Sequence, residues 1–224
     1  LDGHLFTIYK GLGKKVTAVD FRPDNGAVLT GSDEDTVRVF HLDGTPMLTL
    51  EGDGESLAQA FFSTDGSTVL TVDEQGQLRQ QAVATPTTHL WLLQHDNQVR
   101  FISSDAAGRR ILSAGLCNTA YLVEADTGRR LRKWSFDPQP AIQGAALSPD
   151  GESAVFSFGD RALIYQVSRE QQEPVTLTGD ISTASFSPDG TTLVTGGSAH
   201  GSVQLWEPRR GELVRLVGRS PGLV

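Results

Sequence analysis

One short sequence motif recurs five times along this chain, and this repetition constrains its fold more than any other feature. Each copy has an apolar residue, a tight turn containing Asp or Gly, a run of apolar and β-branched residues, and then small residues. The copies are FRPDNGAVLTGS (21–32), FFSTDGSTVLTV (61–72), SSDAAGRRILSAG (103–115), ALSPDGESAVFS (146–157) and SFSPDGTTLVTGG (185–197). The glycines assigned to the turns are spaced by 40, 42, 43 and 39 residues: Gly26, Gly66, Gly108, Gly151 and Gly190. A period near forty predicts a repeat architecture.

A single repeat has the sequence pattern of four short strands. In the first repeat, turn-forming residues separate VTAVDF (16–21), AVLTG (27–31), TVRVF (36–40) and PMLTL (46–50). No stretch of about ten residues has the 3.6-residue apolar period of a helix. Both faces of such a sheet would be open to water, so each repeat needs neighbouring repeats to cover it. The chain is therefore predicted to be all-β.

The residue pattern of these repeats resembles that of the WD-repeat family of β-propellers. The match is best in FSPDG (186–190), TLVTGG (192–197) and GSVQLWEPRRG (201–211), and it looks more bacterial than eukaryotic. The resemblance implies four-stranded antiparallel blades. We expect five full blades at 11–50, 51–93, 94–136, 137–178 and 179–218. Residues 1–10 are then the fourth strand of a preceding or closing blade, and 219–224 are a tail or the start of a next blade.

Five blades and one extra strand leave the closure of the ring open. Propellers typically close with about 4 to 8 blades. The chain is expected to be a fragment or domain of a larger protein whose ring has about seven blades. Two alternatives are a ring completed by a second chain and a strained ring in which the two ends build a partial blade.

The family's internal hydrogen-bond network is mostly absent from this sequence. The Trp that the family places at the end of the third strand is present as Trp206, and its counterparts are predicted to be Phe40, Gln80, Val123 and Tyr165. The family's His ahead of the first strand is best matched by His95. We therefore expect the blades to be held mainly by apolar packing.

Composition argues against several function classes. The five histidines show no metal-ligand spacing, Cys117 is the single cysteine, and no G-x-S-x-G motif occurs, so we assign no catalytic, cofactor or metal residue. The formal charge of −8 argues against a nucleic-acid partner. No apolar run approaches the roughly 18 residues of a membrane helix, and no secretory pattern is present. The expected location is cytoplasmic.

Charge placement indicates a partner-binding surface. In the implied geometry, the turns between strands two and three and the links between blades form one edge of the sheets, which we call the top edge. The remaining turns form the bottom edge. The acidic residues predicted to bind a partner at the top edge are Asp33, Glu34, Asp35, Asp53, Glu55, Asp73 and Glu74. The bottom edge is predicted to be basic, with Arg22, Arg109, Arg110, Arg129, Arg130, Arg209 and Arg210. An acidic top edge would steer a basic peptide.

The resemblance implies a non-enzymatic propeller that serves as a protein-interaction scaffold or sensor module. Its partner is expected to be a protein or peptide, with a basic one favoured by the top edge. The alternative is an enzymatic or small-ligand-binding propeller with a site at the central channel. Carboxylates or histidines converging near the axis would favour that alternative, whereas a broad edge patch favours the scaffold.

Overall fold

The structure is a computed structural model that describes residues 7–10, 15–52, 54–84, 89–116, 118–136, 140–169, 171–199 and 201–219. The chain divides into two compact units, unit 1 over Leu1–Val99 and unit 2 over Arg100–Val224.

Unit 1 contains two antiparallel four-stranded sheets whose strands lie in chain order. Sheet 1 consists of β1 (Val16–Phe21), β2 (Ala27–Ser32), β3 (Thr36–His41) and β4 (Pro46–Glu51). Sheet 2 consists of β5 (Leu57–Phe62), β6 (Thr68–Asp73), β7 (Gln77–Ala82) and β8 (His89–Gln94).

Unit 2 contains three further sheets of the same kind, the first of which begins at the last residue of unit 1. Sheet 3 consists of β9 (Val99–Ser104), β10 (Arg110–Gly115), β11 (Thr119–Glu124) and β12 (Arg130–Ser135). Sheet 4 consists of β13 (Gly144–Leu147), β14 (Ser153–Ser157), β15 (Gly159–Gln166) and β16 (Val175–Ile181). Sheet 5 consists of β17 (Thr183–Phe186), β18 (Leu193–Gly196), β19 (Ser202–Glu207) and β20 (Glu212–Arg219).

These sheets confirm the predicted all-β class and the four-stranded repeat. The part of the chain that the structure describes has no helix long and apolar enough to cross a membrane. The exact blade limits stay predictions. Of the extra strand expected over 1–10, residues 1–6 lie outside the described residues and 7–10 form no strand; of the expected tail, 220–224 lie outside as well.

Neighbouring sheets within unit 1 pack face to face. We call the face of sheet 1 that packs against sheet 2 its trailing face, and the opposing face of sheet 2 its leading face. Side chains from these two faces form one buried cluster, which includes Leu29, Val39, Ala60, Phe62 and Val69. A polar contact crosses the same interface, since Asp20 Oδ2 accepts the Phe62 N–H at 2.8 Å. Apolar burial with one charge-assisted hydrogen bond therefore joins the two sheets.

Unit 2 repeats this arrangement with larger side chains. An aromatic cluster that includes Trp134, Phe136 and Phe156 lies between sheets 3 and 4, with ring centroids 4.8 to 5.2 Å apart. Over it, Arg132 stacks on the Trp134 ring at 5.0 Å and donates to the Val167 carbonyl at 3.0 Å. A second cluster, built around Leu193 and Trp206, joins sheets 4 and 5. The expectation that apolar packing dominates agrees with these interfaces.

The leading face of sheet 1 differs from that of sheet 2. Phe21 pairs with Val28 as Phe62 pairs with Val69, so the two phenylalanines hold equivalent positions. Phe21 is 62% exposed and Phe62 is 4% exposed. The neighbouring pair behaves alike, since Val19 is 70% exposed and Ala60 is 5% exposed. The β1 part of this face is therefore exposed, whereas Val28 and Phe40 on the same face are buried and Tyr9 packs on Phe40 at 5.3 Å.

The turn of the first repeat uses a different residue from the one predicted. Gly66, Gly108, Gly151 and Gly190 adopt φ values of 65 to 71°, the left-handed region. In the first repeat that conformation belongs to Asn25, with φ 58°, and its N–H donates to the Arg22 carbonyl as Gly66 donates to Ser63. The assignment of Gly26 to this position was wrong: the turns of the first two repeats have equal length between Phe21 and Val28 and between Phe62 and Val69, and the position of Gly66 is held by Asn25, which also tolerates left-handed φ.

Strand register also corrects the counterpart of the family Trp in the second repeat. In sheet 5, Trp206 pairs with Leu193, and Leu193 pairs with Phe186. The equivalent series of paired residues in sheet 2 is Gln81, Val69 and Phe62. Gln81, not Gln80, therefore takes the Trp position. In sheet 5 the buried Trp206 Nε1–H donates to Thr195 Oγ1 at 2.9 Å, so this Trp is held by a hydrogen bond as well as by apolar packing.

Candidate functional site

The candidate site is the top edge of unit 1, where most of the predicted acidic residues lie. Three segments build it: the β2–β3 turn (33–35), the link between sheets 1 and 2 (52–56) and the β6–β7 turn (74–76). Asp53 lies outside the described residues. The other predicted residues fall into two groups that differ in burial.

Asp35 is buried and organises the link between the sheets. It adopts φ 59° in the tight β2–β3 turn, its Oδ2 accepts the Gly54 N–H at 2.6 Å, and its carbonyl accepts the Gly52 N–H at 2.8 Å. A Cβ at Gly52 would lie 1.9 Å from Asp35 Oδ2, so only glycine fits against the carboxylate. The Asp35 side chain is therefore engaged in contacts within the chain.

Asp73 has a similar role at the end of β6. Its Oδ1 accepts the N–H groups of Gln75 and Gln77, each at 2.9 Å, and its Oδ2 lies 3.4 Å from a guanidinium nitrogen of Arg79. Both Asp73 and Arg79 are buried. This carboxylate therefore closes the β6–β7 turn and compensates a buried cation.

Ser56 connects all three segments of the top edge. Its Oγ–H donates to the Asp33 carbonyl at 3.4 Å, and its own carbonyl accepts the Glu74 N–H at 2.9 Å. The two turns and the link are thereby held side by side. Acidic side chains that are distant in sequence become neighbours on one surface.

The remaining carboxylates face outward. Glu34, Glu55 and Glu74 are exposed, one from each segment. Asp33 is half-buried, and its Oδ1 is shielded from solvent without a hydrogen bond from the described residues. The structure thus brings the predicted residues together but divides them: two aspartates maintain the loops, and three glutamates present negative charge.

A buried histidine adjoins this edge. The backbone N–H of His95 donates to the Gly76 carbonyl at 3.0 Å, and the residue is 1% exposed. Burial lowers the pKa of His95 from 6.5 to about 4, against a smaller opposing effect of the Asp96 charge. The imidazole is therefore neutral at physiological pH.

The bottom edge is not the uniformly basic surface that was predicted. Arg22 pairs with Asp24 at 2.8 Å, Arg110 with Glu152 at 2.8 Å, and Arg129 with Glu124 at 3.1 Å. These pairs lower the pKa of the Asp24 and Glu124 carboxyls through hydrogen bonds from their arginines. The sequence alone did not show that carboxylates from the same or the adjacent turn pair with these arginines.

The chain is similar to known WD-repeat sequences. Residues 3–41 and 171–207 match the model of the family described as WD domain, G-beta repeat. The chain is also 25% identical over 208 residues to the serine-threonine kinase receptor-associated protein of Gallus gallus. The match covers 90% of this chain and 57% of that relative, so the chain spans little more than half of its length. Both similarities support the WD-repeat resemblance, and the bacterial source stays a prediction.

Among the described residues, no group of three or more His, Cys, Asp or Glu side chains is placed to hold a metal ion. Asp35 and Asp73 were not identified from the sequence as residues that hold the loops in place. A usable signal exists in Asp73, because an Asp that ends a strand just before a turn commonly accepts N–H groups of the residues that follow.

Proposed function

We propose that this chain is a non-enzymatic protein-interaction module, a scaffold or sensor in the cytoplasm, whose top edge on unit 1 binds a basic segment of a partner protein. The observation that carries the proposal is the exposure of Glu34, Glu55 and Glu74 on three segments joined through Ser56. Because the loops are already held by internal hydrogen bonds, binding costs little loop ordering.

The comparisons support the general role. The name of the Gallus gallus relative describes association with a serine-threonine kinase receptor. The proposal takes from that name the ability of such a chain to associate with another protein. The chemistry of the partner segment, a run of spaced cations, is inferred from the exposed glutamates of this chain.

A binding measurement tests the proposal. A fluorescent peptide of alternating Lys and Gly is titrated into the full chain and into a variant carrying Glu34→Gln, Glu55→Gln and Glu74→Gln. Three exposed contacts of about 0.2–1 kcal/mol each predict a roughly tenfold loss of affinity in the variant and weaker wild-type binding at high salt. A control variant changes three exposed carboxylates outside unit 1, with Glu173→Gln, Glu212→Gln and Asp160→Asn. Equal affinity of the two variants would overturn the proposal.

We also propose that a further four-stranded sheet covers the leading face of sheet 1. The exposed Val19 and Phe21 support this, because their equivalents in sheet 2 are packed. The covering sheet comes from an additional segment of a longer protein or from a second chain. Light scattering separates the two sources, since a dimer indicates a second chain. For residues 1–224 measured alone, a monomer in which hydroxyl-radical labelling finds Phe21 protected would contradict both sources, because this chain would then cover the face itself.

A further inference from the structure

Unit 2 contains a charged cleft that the proposed function does not use. The cleft has a volume of about 310 Å³ and lies at the bottom edge, between the turns of sheets 3 and 4. Three of the predicted bottom-edge arginines line it: Arg109, Arg110 and Arg129. The turns of sheets 3 and 4 also contribute carboxylates, so both signs of charge face the same small volume.

Most of these charges are already paired within the chain. Arg110 donates to Glu152 Oε1 at 2.8 Å and to the Gly151 carbonyl at 2.7 Å. Glu124 receives two hydrogen bonds from Arg129, at 3.1 and 3.4 Å. Their mutual contacts leave these groups with little unsatisfied charge for a ligand.

Asp150 is likewise held by its own turn. Its Oδ1 accepts the Ser148 hydroxyl at 2.5 Å and the Glu152 N–H at 3.0 Å. The pKa of Asp150 is lowered, first by the Ser148 hydroxyl and also by the charge of Arg209. This carboxylate is therefore committed to the β13–β14 turn.

Two lining groups of opposite sign remain. The Arg109 guanidinium and the Asp126 carboxylate are exposed, and neither forms a hydrogen bond or ion pair within the part of the chain that the structure describes. Their turns lie side by side, because the Ala125 N–H donates to the Arg109 carbonyl at 2.8 Å. A positive and a negative group thus open into one cleft without pairing with each other.

We propose that this cleft binds a partner segment in which a carboxylate and a cation are adjacent, an Asp or Glu next to a Lys or Arg. The carboxylate of the segment pairs with Arg109 and its cation with Asp126. A purely acidic or purely basic segment would satisfy one group and face the other with like charge. The cleft is therefore specific for a segment carrying both signs, unlike the top edge of unit 1, which favours cations alone.

Nuclear magnetic resonance titration of the full chain tests the proposal. The probe is acetyl-Gly-Glu-Lys-Gly-amide, and its neutral counterpart has Gln in place of Glu and Lys. We expect saturable shifts of the Arg109, Ala125 and Asp126 amides, with half-saturation by the neutral peptide at a roughly tenfold higher concentration, since two exposed ion pairs are lost. Absence of saturable shifts, or equal binding of the two peptides, would overturn the proposal.

Charge reversal provides the sharper test. Arg109→Glu leaves two negative groups and should shift the preference from the Glu-Lys peptide to a Lys-Lys peptide. Asp126→Lys should shift it to a Glu-Glu peptide. Arg215→Glu, an exposed change on β20 outside the cleft lining, should leave the preference unaltered. Preferences that do not follow these charges would contradict the assignment, whatever the fate of the site in unit 1, because the reporting amides are different.

Discussion

The top edge of unit 1 and the bottom edge of unit 2 both carry many charged side chains, but they use them differently. At the top edge, buried aspartates hold the loops and exposed glutamates face solvent. At the bottom edge, arginines and carboxylates pair with each other within a turn or across adjacent turns, and Arg109 and Asp126 remain unpaired among the described residues. The number of charges therefore says little about binding; what matters is which charges the fold has already paired.

Removing a buried carboxylate should have the largest effect. Asp73→Ala removes the acceptor of two turn N–H groups and the carboxylate that pairs with the buried Arg79, so we expect a loss of about 3–5 kcal/mol in the free energy of unfolding. Urea denaturation measures it. The adjacent exposed residue is the matched control: Glu74→Ala should change stability by less than about 0.5 kcal/mol. Similar losses of unfolding free energy in both variants would contradict the distinction between carboxylates that hold the loops and carboxylates that face solvent.

Acid should weaken the same edge through His95. Its folded pKa of about 4 lies below the ordinary 6.5, so the unfolded chain binds a proton more readily between these values. Stability from this group is complete above pH 6.5 and is lost as the pH falls toward 4, by about 3 kcal/mol.

Unfolding of the wild type and of His95→Gln from pH 7 to pH 4 isolates this contribution. The difference between the two proteins should shift by the stated amount in favour of the variant as the pH falls. A difference that stays constant over this range would show that His95 is not held neutral by burial.

Breaking a bottom-edge pair should have the smallest effect. Glu152→Gln removes the exposed ion pair with Arg110, and we expect a loss of about 0.2–1 kcal/mol that shrinks as salt is added. Thermal unfolding at two salt concentrations measures it. A loss as large as that of Asp73→Ala would mean that pairing at the bottom edge is structural as well.

The repeat period and turn chemistry were sufficient to predict the sheets, because strand alternation and Asp/Gly turns are local signals. They failed where the outcome depends on contacts across strands or sheets. Recognising Asn25 instead of Gly26 as the left-handed turn residue needed the β1–β2 register, and the assignment of Gln81 needed the β6–β7 register. The division of the acidic residues needed burial, since Glu34 and Asp35 are adjacent in sequence but differ in exposure.

The central claim is that exposed glutamates, and not the buried aspartates beside them, meet a basic partner. The most direct measurement is carbodiimide cross-linking of the Lys-Gly peptide to the full chain, followed by mass spectrometric mapping of the linked carboxylates. The account predicts links concentrated at Glu34, Glu55 and Glu74, with none at Asp35 or Asp73. Links spread evenly over exposed carboxylates such as Asp126 and Glu212, or absent from the top edge, would contradict it.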